Sequence, residues 1–432
     1  GDRAKIDSLT AADILPSVRV DGGPPAALVA EADCFVQGGN GLPGVDVITI
    51  TALRIGSDGL DRTSRCFAGG SDVLYLSRTT LYLATTGRGP IGSVSIDPDS
   101  TPVDRVALDV THLHKFAVDG LAIAYRGSGS VPGRLGWQSG SYRLAESGGD
   151  LRVVTDTADW LAMTGPPAAT EPGVVPGTGT GTAPVGPSVG ASADGSAWPV
   201  RSSPATLSIL RELAGQSGLA LVGQLPNRRR PDPLGKPGER VYATRFTATR
   251  GYLVTFRQTD PLYVLDLTDA ADPTKAGELE MPGFSNYLFP VSDRLLFGIG
   301  RSGPTWPNRV RASLVDVGTL SAPRELDALE LGAAGSLAAV DVTPHGIVFQ
   351  RAGNDLRAAL GVAASVGDGL RRALHRLQID TVAGRLSEQP AIDAPPPGSG
   401  STGWPAFEDD RAVLIGDQVH YLSDGRFASG WW

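Results

Sequence analysis

The sequence predicts an all-β fold built from repeated four-stranded antiparallel sheets, and three observations carry that prediction. Short runs of alternating or β-branched residues recur along the chain, at 47–53, 73–76, 81–86, 151–155, 241–246, 252–256, 262–267, 295–299, 347–350 and 412–415. Each is bounded by Gly, Asp, Pro or Ser, the pattern of strands and turns rather than of helices. Glycine (56) and proline (33) together are about a fifth of the 432 residues, which leaves room for few or short helices. Finally, one motif is used twice at an offset of 50: Tyr263-Val-Leu-Asp266 with Pro273, and Ser313-Leu-Val-Asp316 with Pro323. Leu279-Glu280-Met281 then meets Leu329-Glu330-Leu331 at the same offset. The runs starting at 252, 295 and 347 are 43 and 52 residues apart, the length of one four-stranded β-propeller blade.

In chain order, residues 1–44 read as a lead-in with one short helix at 11–15. Complete blades are expected at 71–130, 131–226, 240–283, 284–334 and 335–390. A second helix is a candidate at 206–214. Residues 165–199 form a Gly/Pro-rich insertion with 8 Gly, 7 Pro and no Lys or Arg, a composition that cannot offset chain entropy by burial. Residues 391–403, with Pro395-Pro-Pro-Gly-Ser-Gly, read as an inter-blade linker. At the front, 47–55 and 65–67 resemble outer strands without inner ones; at the back, 406–415 and 418–422 resemble inner strands without outer ones. Pairing of 403–425 with 45–70 in one composite blade would close a six-bladed ring, making 1–432 a single propeller domain. Seven or eight blades are the alternative if an N-terminal part is missing.

Apolar residues make up 41% of the chain, ample for a core, and charged residues only 19%. The net charge is −8, whereas a nucleic-acid binder needs a basic stripe. The one dense basic run, Arg228-Arg229-Arg230, reads as a solvated loop. No stretch approaches the apolar length of a membrane span.

Several segments resemble one family. They are His114-Lys-Phe116, Tyr125-Arg-Gly-Ser-Gly-Ser-Val-Pro-Gly-Arg134, Leu151-Arg-Val-Val-Thr155, Glu239-Arg-Val-Tyr-Ala-Thr-Arg-Phe246, Gly251-Tyr-Leu-Val-Thr-Phe-Arg-Gln-Thr-Asp-Pro-Leu262 and Pro282-Gly-Phe-Ser-Asn-Tyr-Leu288. Together they are similar to bacterial secreted proteins with a C-terminal β-propeller domain distantly related to WD-type repeats. The resemblance spans about 10–350 and implies a propeller fold and an extracytoplasmic location. It supplies no catalytic residues. Members carry further strands before the part matching 11–19, so Gly1 is expected to sit inside the domain. In a secreted chain the two cysteines, Cys34 and Cys66, are expected to pair as a disulfide across a blade edge.

The candidate chemistry is sparse. Gly298-Ile-Gly-Arg-Ser-Gly303 and Gly87-Arg-Gly-Pro-Ile-Gly92 match a dinucleotide fingerprint, but the first runs into Pro304 and Pro307 and the second into another strand. Both read as glycine turns. His112-Leu-His114 places two imidazoles on one strand face, half of a zinc site without partners. Asp97/Asp99, Asp269/Asp272 and Asp409/Asp410 read as turn residues rather than glycosidase pairs. Trp404, Trp431 and Trp432 read as packing rather than a sugar platform. Arg257, Gln258 and Asp260 end a strand in the most family-like segment and are the candidate ligand-binding residues. No catalytic residue, metal ligand or cofactor is assigned. The expected function is an extracytoplasmic, non-catalytic binding module for a protein or carbohydrate ligand. The rival is a propeller hydrolase or lyase acting on glycans.

Overall fold

The computed structural model describes residues 7–37, 46–57, 59–88, 92–94, 103–106, 109–136, 140–157, 174–176, 203–213, 218–227, 229–256, 260–305, 307–366, 369–395 and 410–432. The chain divides into two compact units, Gly1–Pro233 and Leu234–Trp432.

The first unit holds three four-stranded sheets among its described residues. One joins the hairpin Val47–Gly56/Gly59–Ala68 to Cys34–Gln37 and, beyond it, Val174–Pro176. The second is a meander of Val73–Leu76, Thr80–Arg88, Asp109–Asp119 and Ala122–Pro132. The third is Leu144–Ser147, Asp150–Asp156, Ala205–Glu212 and Leu219–Leu225. Two-stranded ribbons add Ser17–Val18 with Ala26–Ala27 and Gly92–Val94 with Val103–Val106. The short helix is present at Ala11–Ile14.

The second candidate helix is instead a strand. Ala205–Glu212 pairs on one side with Asp150–Asp156 and on the other with Leu219–Leu225. Ala205, Leu207 and Ile209 alternate with Thr206 and Ser208, and all five are buried. A central strand buries both faces, so small hydroxyls can stand where a helix would need a solvent stripe.

In the second unit the strands follow the repeat. Arg240–Phe246, Arg250–Phe256, Asp260–Asp266 and Thr274–Met281 form one meander. Phe284–Pro290, Leu295–Arg301, Val310–Asp316 and Arg324–Leu331 form the next. The offset-50 aspartates do the same job in both. Asp266 Oδ1 accepts from the Thr268 amide at 2.9 Å, and Asp316 Oδ1 from the Gly318 amide at 3.0 Å. Each closes an Asx turn between third and fourth strands. The Thr268 hydroxyl and amide hold the Asp266 carboxyl below its usual range. At Asp316, burial would raise the pKa, but the Gly318 amide and Arg294 outweigh it and the net shift is downward.

The third sheet of this unit has five strands. Leu337–Ala338 and Ile347–Ala352 share Asp355–Val366, followed by Gly369–Asp380 and Arg385–Asp393. The last sheet has three: Arg411–Ile415, Gln418–Ser423 and Arg426–Trp431. Its second hairpin turns on Asp424 (φ 49) and Gly425 (φ 69), the Asp-Gly pair favoured in a type I′ turn. This third strand was not foreseen.

The composite sheet expected from 403–425 and 45–70 is not formed among the described residues. The Arg411–Trp431 sheet is a consecutive meander. The free edge of Gly59–Ala68 is taken by Cys34–Gln37, which runs parallel to it.

Neighbouring sheets pack face to face within each unit. Tyr82, Leu113, Val131, Leu151, Val153 and Leu210 fill one such core in the first unit. Tyr252, Val254, Leu262, Leu288, Leu296 and Val315 fill another in the second. Both faces of these sheets are covered, so inward strands read as nearly continuous hydrophobic runs.

Gly283, between two sheets, sits at φ +80, and a Cβ there would fall 1.8 Å from the Arg301 carbonyl oxygen. Gly332 (φ +71), also between two sheets, would instead meet the Ser336 hydroxyl at 2.4 Å, an atom that can rotate away. Gly283→Ala is expected to cost more than ~2 kcal/mol and Gly332→Ala clearly less. Urea unfolding of the two variants checks this; equal losses would remove the backbone clash as the cause.

Candidate functional site

A buried polar cluster in the first unit forms where the second and third sheets meet. Lys115 comes from the strand Asp109–Asp119 and Tyr82 from Thr80–Arg88. Glu146 and Glu212 come from the next sheet. The Lys115 ammonium lies 3.5 Å from Glu146 Oε1 and 3.3 Å from Glu212 Oε2, and its side chain is 9% exposed. Glu146 also accepts from the Tyr82 hydroxyl at 2.9 Å and the Ser77 hydroxyl at 2.7 Å. Arg126 Nε donates to Glu212 Oε1 at 2.9 Å. Alternation explains the gathering: Lys115 and Tyr82 are directly paired across the ladder, so both project from one face toward the next sheet.

The charges in this cluster are held, not poised. Burial would raise the Glu212 pKa, but hydrogen bonds from Arg126 and Lys115 and their charges outweigh it, leaving it below the usual range. Burial and the Glu146 charge push the Tyr82 phenol upward. A general acid needs a carboxyl still protonated near the working pH. Glu212 is shifted the other way.

Two junctions in the second unit repeat the device. Asp341 accepts from Arg301 Nη2 at 2.5 Å, Asn286 Nδ2 at 2.7 Å and the Ala338 amide at 2.9 Å. Arg301 also donates to the Ser336 carbonyl. At the last junction Asp410, 1% exposed, accepts from the Tyr421 hydroxyl at 2.7 Å and pairs with Arg372 at 3.3 Å. Arg372 reaches Asp424 as well. Most of these contacts were not legible in the sequence, since bonds such as Ser77–Glu146, Asn286–Asp341 and Arg301–Asp341 join residues 40–69 apart.

Cys34 and Cys66 are joined by a disulfide, their Cα atoms 4.3 Å apart. Asp260 opens the strand Asp260–Asp266 opposite Met281; Arg257 and Gln258 lie outside the described residues. Asp409, Trp404 and the pair Asp97/Asp99 also lie outside them, as do Arg228 and, apart from Val174–Pro176, residues 165–173 and 177–199 of the insertion. Of the expected linker, 396–403 lie outside and 391–393 end the strand Arg385–Asp393. Asp269 is a turn residue whose Oδ1 accepts from the Ala271 amide. Gly298 and Gly300 lie inside the strand Leu295–Arg301, which leads to a turn and another strand. A Cβ on Gly298 would meet the hydroxyls of Ser285 and Ser313, both at 2.9 Å, so close strand packing explains this glycine. Trp432 packs on the last core and under Arg357, while Trp431 is 69% exposed.

His112 and His114 do share a face, and both are buried. His112 Nδ1 bonds the Ser130 hydroxyl at 2.9 Å, and His114 Nδ1 the Tyr125 hydroxyl at 3.3 Å. The His114 ring packs 4.6 Å from that of Phe67. No group of three metal-ligating side chains occurs among the described residues. Burial lowers the His112 pKa to about 4; burial and then the neighbouring His112 lower that of His114 to about 3.

Meanders of four antiparallel strands, packed face to face, define a β-propeller protein. A family model described as "Beta propeller domain" matches residues 2–430, and the chain belongs to that family. It is similar to an uncharacterised protein of Methanocaldococcus jannaschii, 37% identical over 115 residues, 27% of this chain and 17% of that one. It is also similar to an uncharacterised protein of Archaeoglobus fulgidus, 45% identical over 87 residues, 20% of this chain and 13% of that one. The match thus spans less than a fifth of each curated relative's length. Among solved structures, the β-propeller domain of Nup133 from Vanderwaltozyma polyspora aligns with 83% of this chain and 100% of its own, at 8% identity and a TM-score of 0.31.

Lys115→Met would leave Glu146 and Glu212 buried without their shared cation and is expected to cost about 3–5 kcal/mol. Adding Glu146→Gln and Glu212→Gln should recover most of that loss in urea unfolding; no recovery would mean that packing, not charge, is at stake. The histidines give a pH dependence of definite sign. Their folded pKa values lie below the unfolded 6.5, so the unfolded chain binds more protons once pH falls under 6.5. Stability is full above that value and is lost as pH drops toward 4. His112→Gln should flatten the decline in melting temperature between pH 7 and 4.5; an unchanged slope would assign it to other groups.

Proposed function

We propose that this propeller acts outside the cytoplasm as a non-catalytic module that binds a protein partner. The observation that carries this reading is the outward face of the last sheet. Val413 (45% exposed), Ile415 (61%), Phe427 (69%) and Trp431 (69%) all point to one side of the Arg411–Trp431 meander. Leu422 pairs between Arg411 and Phe427 on that same face. Gln418, His420 and Ser429 lie among them on the same face, so the apolar groups sit in a polar frame. A concentration of exposed apolar groups on one sheet face favours an interaction site. Aromatic residues set in such a face are the anchors on which association free energy concentrates. The Cys34–Cys66 disulfide supports an oxidising compartment. Arg257, Gln258 and Asp260 belong to the same proposal as a second contact set.

The rival hydrolase or lyase needs two carboxyls with divided roles. Glu146 and Glu212 are the closest approach to such a pair, and both are committed to Lys115. That arrangement favours the binding reading.

The test has two arms. Purified protein is assayed for release of reducing ends from soluble polysaccharides between pH 4 and 8, and no turnover is expected. Turnover abolished by Glu212→Gln would install the enzymatic reading instead. In the second arm, binding of the dye ANS to the folded protein should fall about threefold in the Phe427→Ser/Trp431→Ser variant, at an unchanged melting temperature. Equal dye binding would remove this face as the contact surface.

A further inference from the structure

The segment 7–37 buries few side chains against the rest of its unit. Its helix Ala11–Ile14 has no buried residue, and within 7–33 Val29 alone is buried. The small apolar cluster beneath it consists of Val29, Cys34 and Cys66, with Leu15 and Val47 at its margin. The disulfide sulfurs are therefore at the centre of the small core under residues 15–34, while Phe35 packs against a second cluster around Phe67 and Phe116. The strand that follows, Cys34–Gln37, pairs with Gly59–Ala68 through three residues, Cys34↔Cys66, Phe35↔Phe67 and Val36↔Ala68. That pairing is parallel, slightly the less stable arrangement per residue, and only three residues long. The ion pair Arg65–Asp33, at 3.0 Å, is partly exposed and contributes little. One side chain anchors the strand: Phe35 stacks on Tyr125 at 4.8 Å and meets Phe116 edge-on at 6.0 Å.

We propose that Cys34–Cys66 is a redox latch, closed in the disulfide form, whose reduction releases Cys34–Gln37 and opens the edge of Gly59–Ala68 to another strand. The reductant is a dithiol. Its thiolate attacks the Cys34 sulfur, since Cys34 is 8% exposed and Cys66 only 1%. The S–S bond breaks, and Cys66 leaves as a thiolate and takes up a proton. The second thiol of the reductant then attacks the mixed disulfide, freeing Cys34 as a thiol and leaving the reductant as a disulfide. Two electrons and two protons pass to the protein in all.

Release has two structural consequences. Val174–Pro176 pairs only onto Phe35–Gln37 among the described residues, so it loses its partner in the same event. The backbone of Cys66–Ala68 loses its partner on one side, while Val47–Gly56 still pairs on the other. Beside that edge lies the place vacated by Phe35, walled by Phe116 and Tyr125. The occupant that fits is an extended segment lying parallel to Gly59–Ala68 with an aromatic residue in register with Phe67. Recognition would combine ladder hydrogen bonds with one side-chain pocket, the usual mode of strand addition. This inference stands apart from the apolar face of the last sheet and does not depend on it.

Amide hydrogen exchange followed by mass spectrometry tests the latch on the full chain, oxidised and after native treatment with dithiothreitol, with free thiols counted by alkylation. Two thiols should appear, and exchange at 34–37 and 66–68 should quicken by at least about tenfold while 80–88, 109–119 and 122–132 stay protected. The Cys34→Ser variant should show the same pattern without reductant. Oxidised Phe35→Ala should open 34–37 less than reduction does. Unchanged protection in fully reduced protein would overturn the proposal, and so would resistance to dithiothreitol under native conditions. Exchange rising across the neighbouring sheets would equally overturn it, by making the disulfide a general staple. If oxidised Phe35→Ala alone opened the strand fully, the hold would belong to the aromatic contact and not to the disulfide.

Discussion

Covering both faces of a sheet is the constraint from which the remaining features follow. A strand buried on both sides must be apolar almost throughout, as in Leu295–Arg301, every residue of which is buried. Any polar group at the seam between two sheets is then out of reach of water and must find a partner across the seam. Lys115, Arg301 and Arg372 do this in the same way. Each places a cation from one sheet against a carboxylate supplied by the sheet or loop that follows. The desolvation cost of such a pair is met only when several hydrogen bonds converge on it, which is why Glu146, Asp341 and Asp410 each accept from more than one donor. Such seams set the register between sheets more sharply than apolar contact can, since methyl groups tolerate sliding and a shared ammonium does not.

What the sequence made legible was local. The Asx turns at Asp266 and Asp316 could be read because the aspartate bonds an amide two residues on, and the prolines seven residues after each mark the next strand. Sheet limits read from those signals differ by only a few residues from the strands at 240–281 and 284–331. Two failures share a different cause. The helix expected at 206–214 is a strand because central strands bury small hydroxyls by bonding them to neighbours, as Thr206 bonds Thr157. The strand Arg426–Trp431 was not expected because its Phe427 and Trp431 are exposed, where burial leaves no pattern to read. Long-range partners such as Lys115 with Glu212 were invisible for a simpler reason: nothing in the spacing of either residue depends on the other.

The chemistry within these seams bears on function. Perturbed titratable groups are a guide to active sites only when the perturbation brings a group toward the working pH. Here Tyr82 and Tyr421 are moved further from it by burial and by adjacent carboxylates. His112 and His114 are held neutral by burial. Glu212 is kept anionic. Each shift deepens the state the group already prefers near neutrality. These groups are thus held in the charge states they keep near neutral pH.

Arg376 bears on the exposed edge of the last sheet. From the five-stranded sheet its guanidinium bonds the Pro390 carbonyl and reaches across to the Trp431 carbonyl, on the outermost strand of the last sheet. A strand at the rim of a sheet offers its free backbone groups to any passing chain, and one bearing Phe427 and Trp431 is a ready template for fibril growth. With the Trp431 oxygen already engaged, a continuous ladder cannot extend past that end. A single arginine thereby withholds one edge carbonyl from an intruding strand.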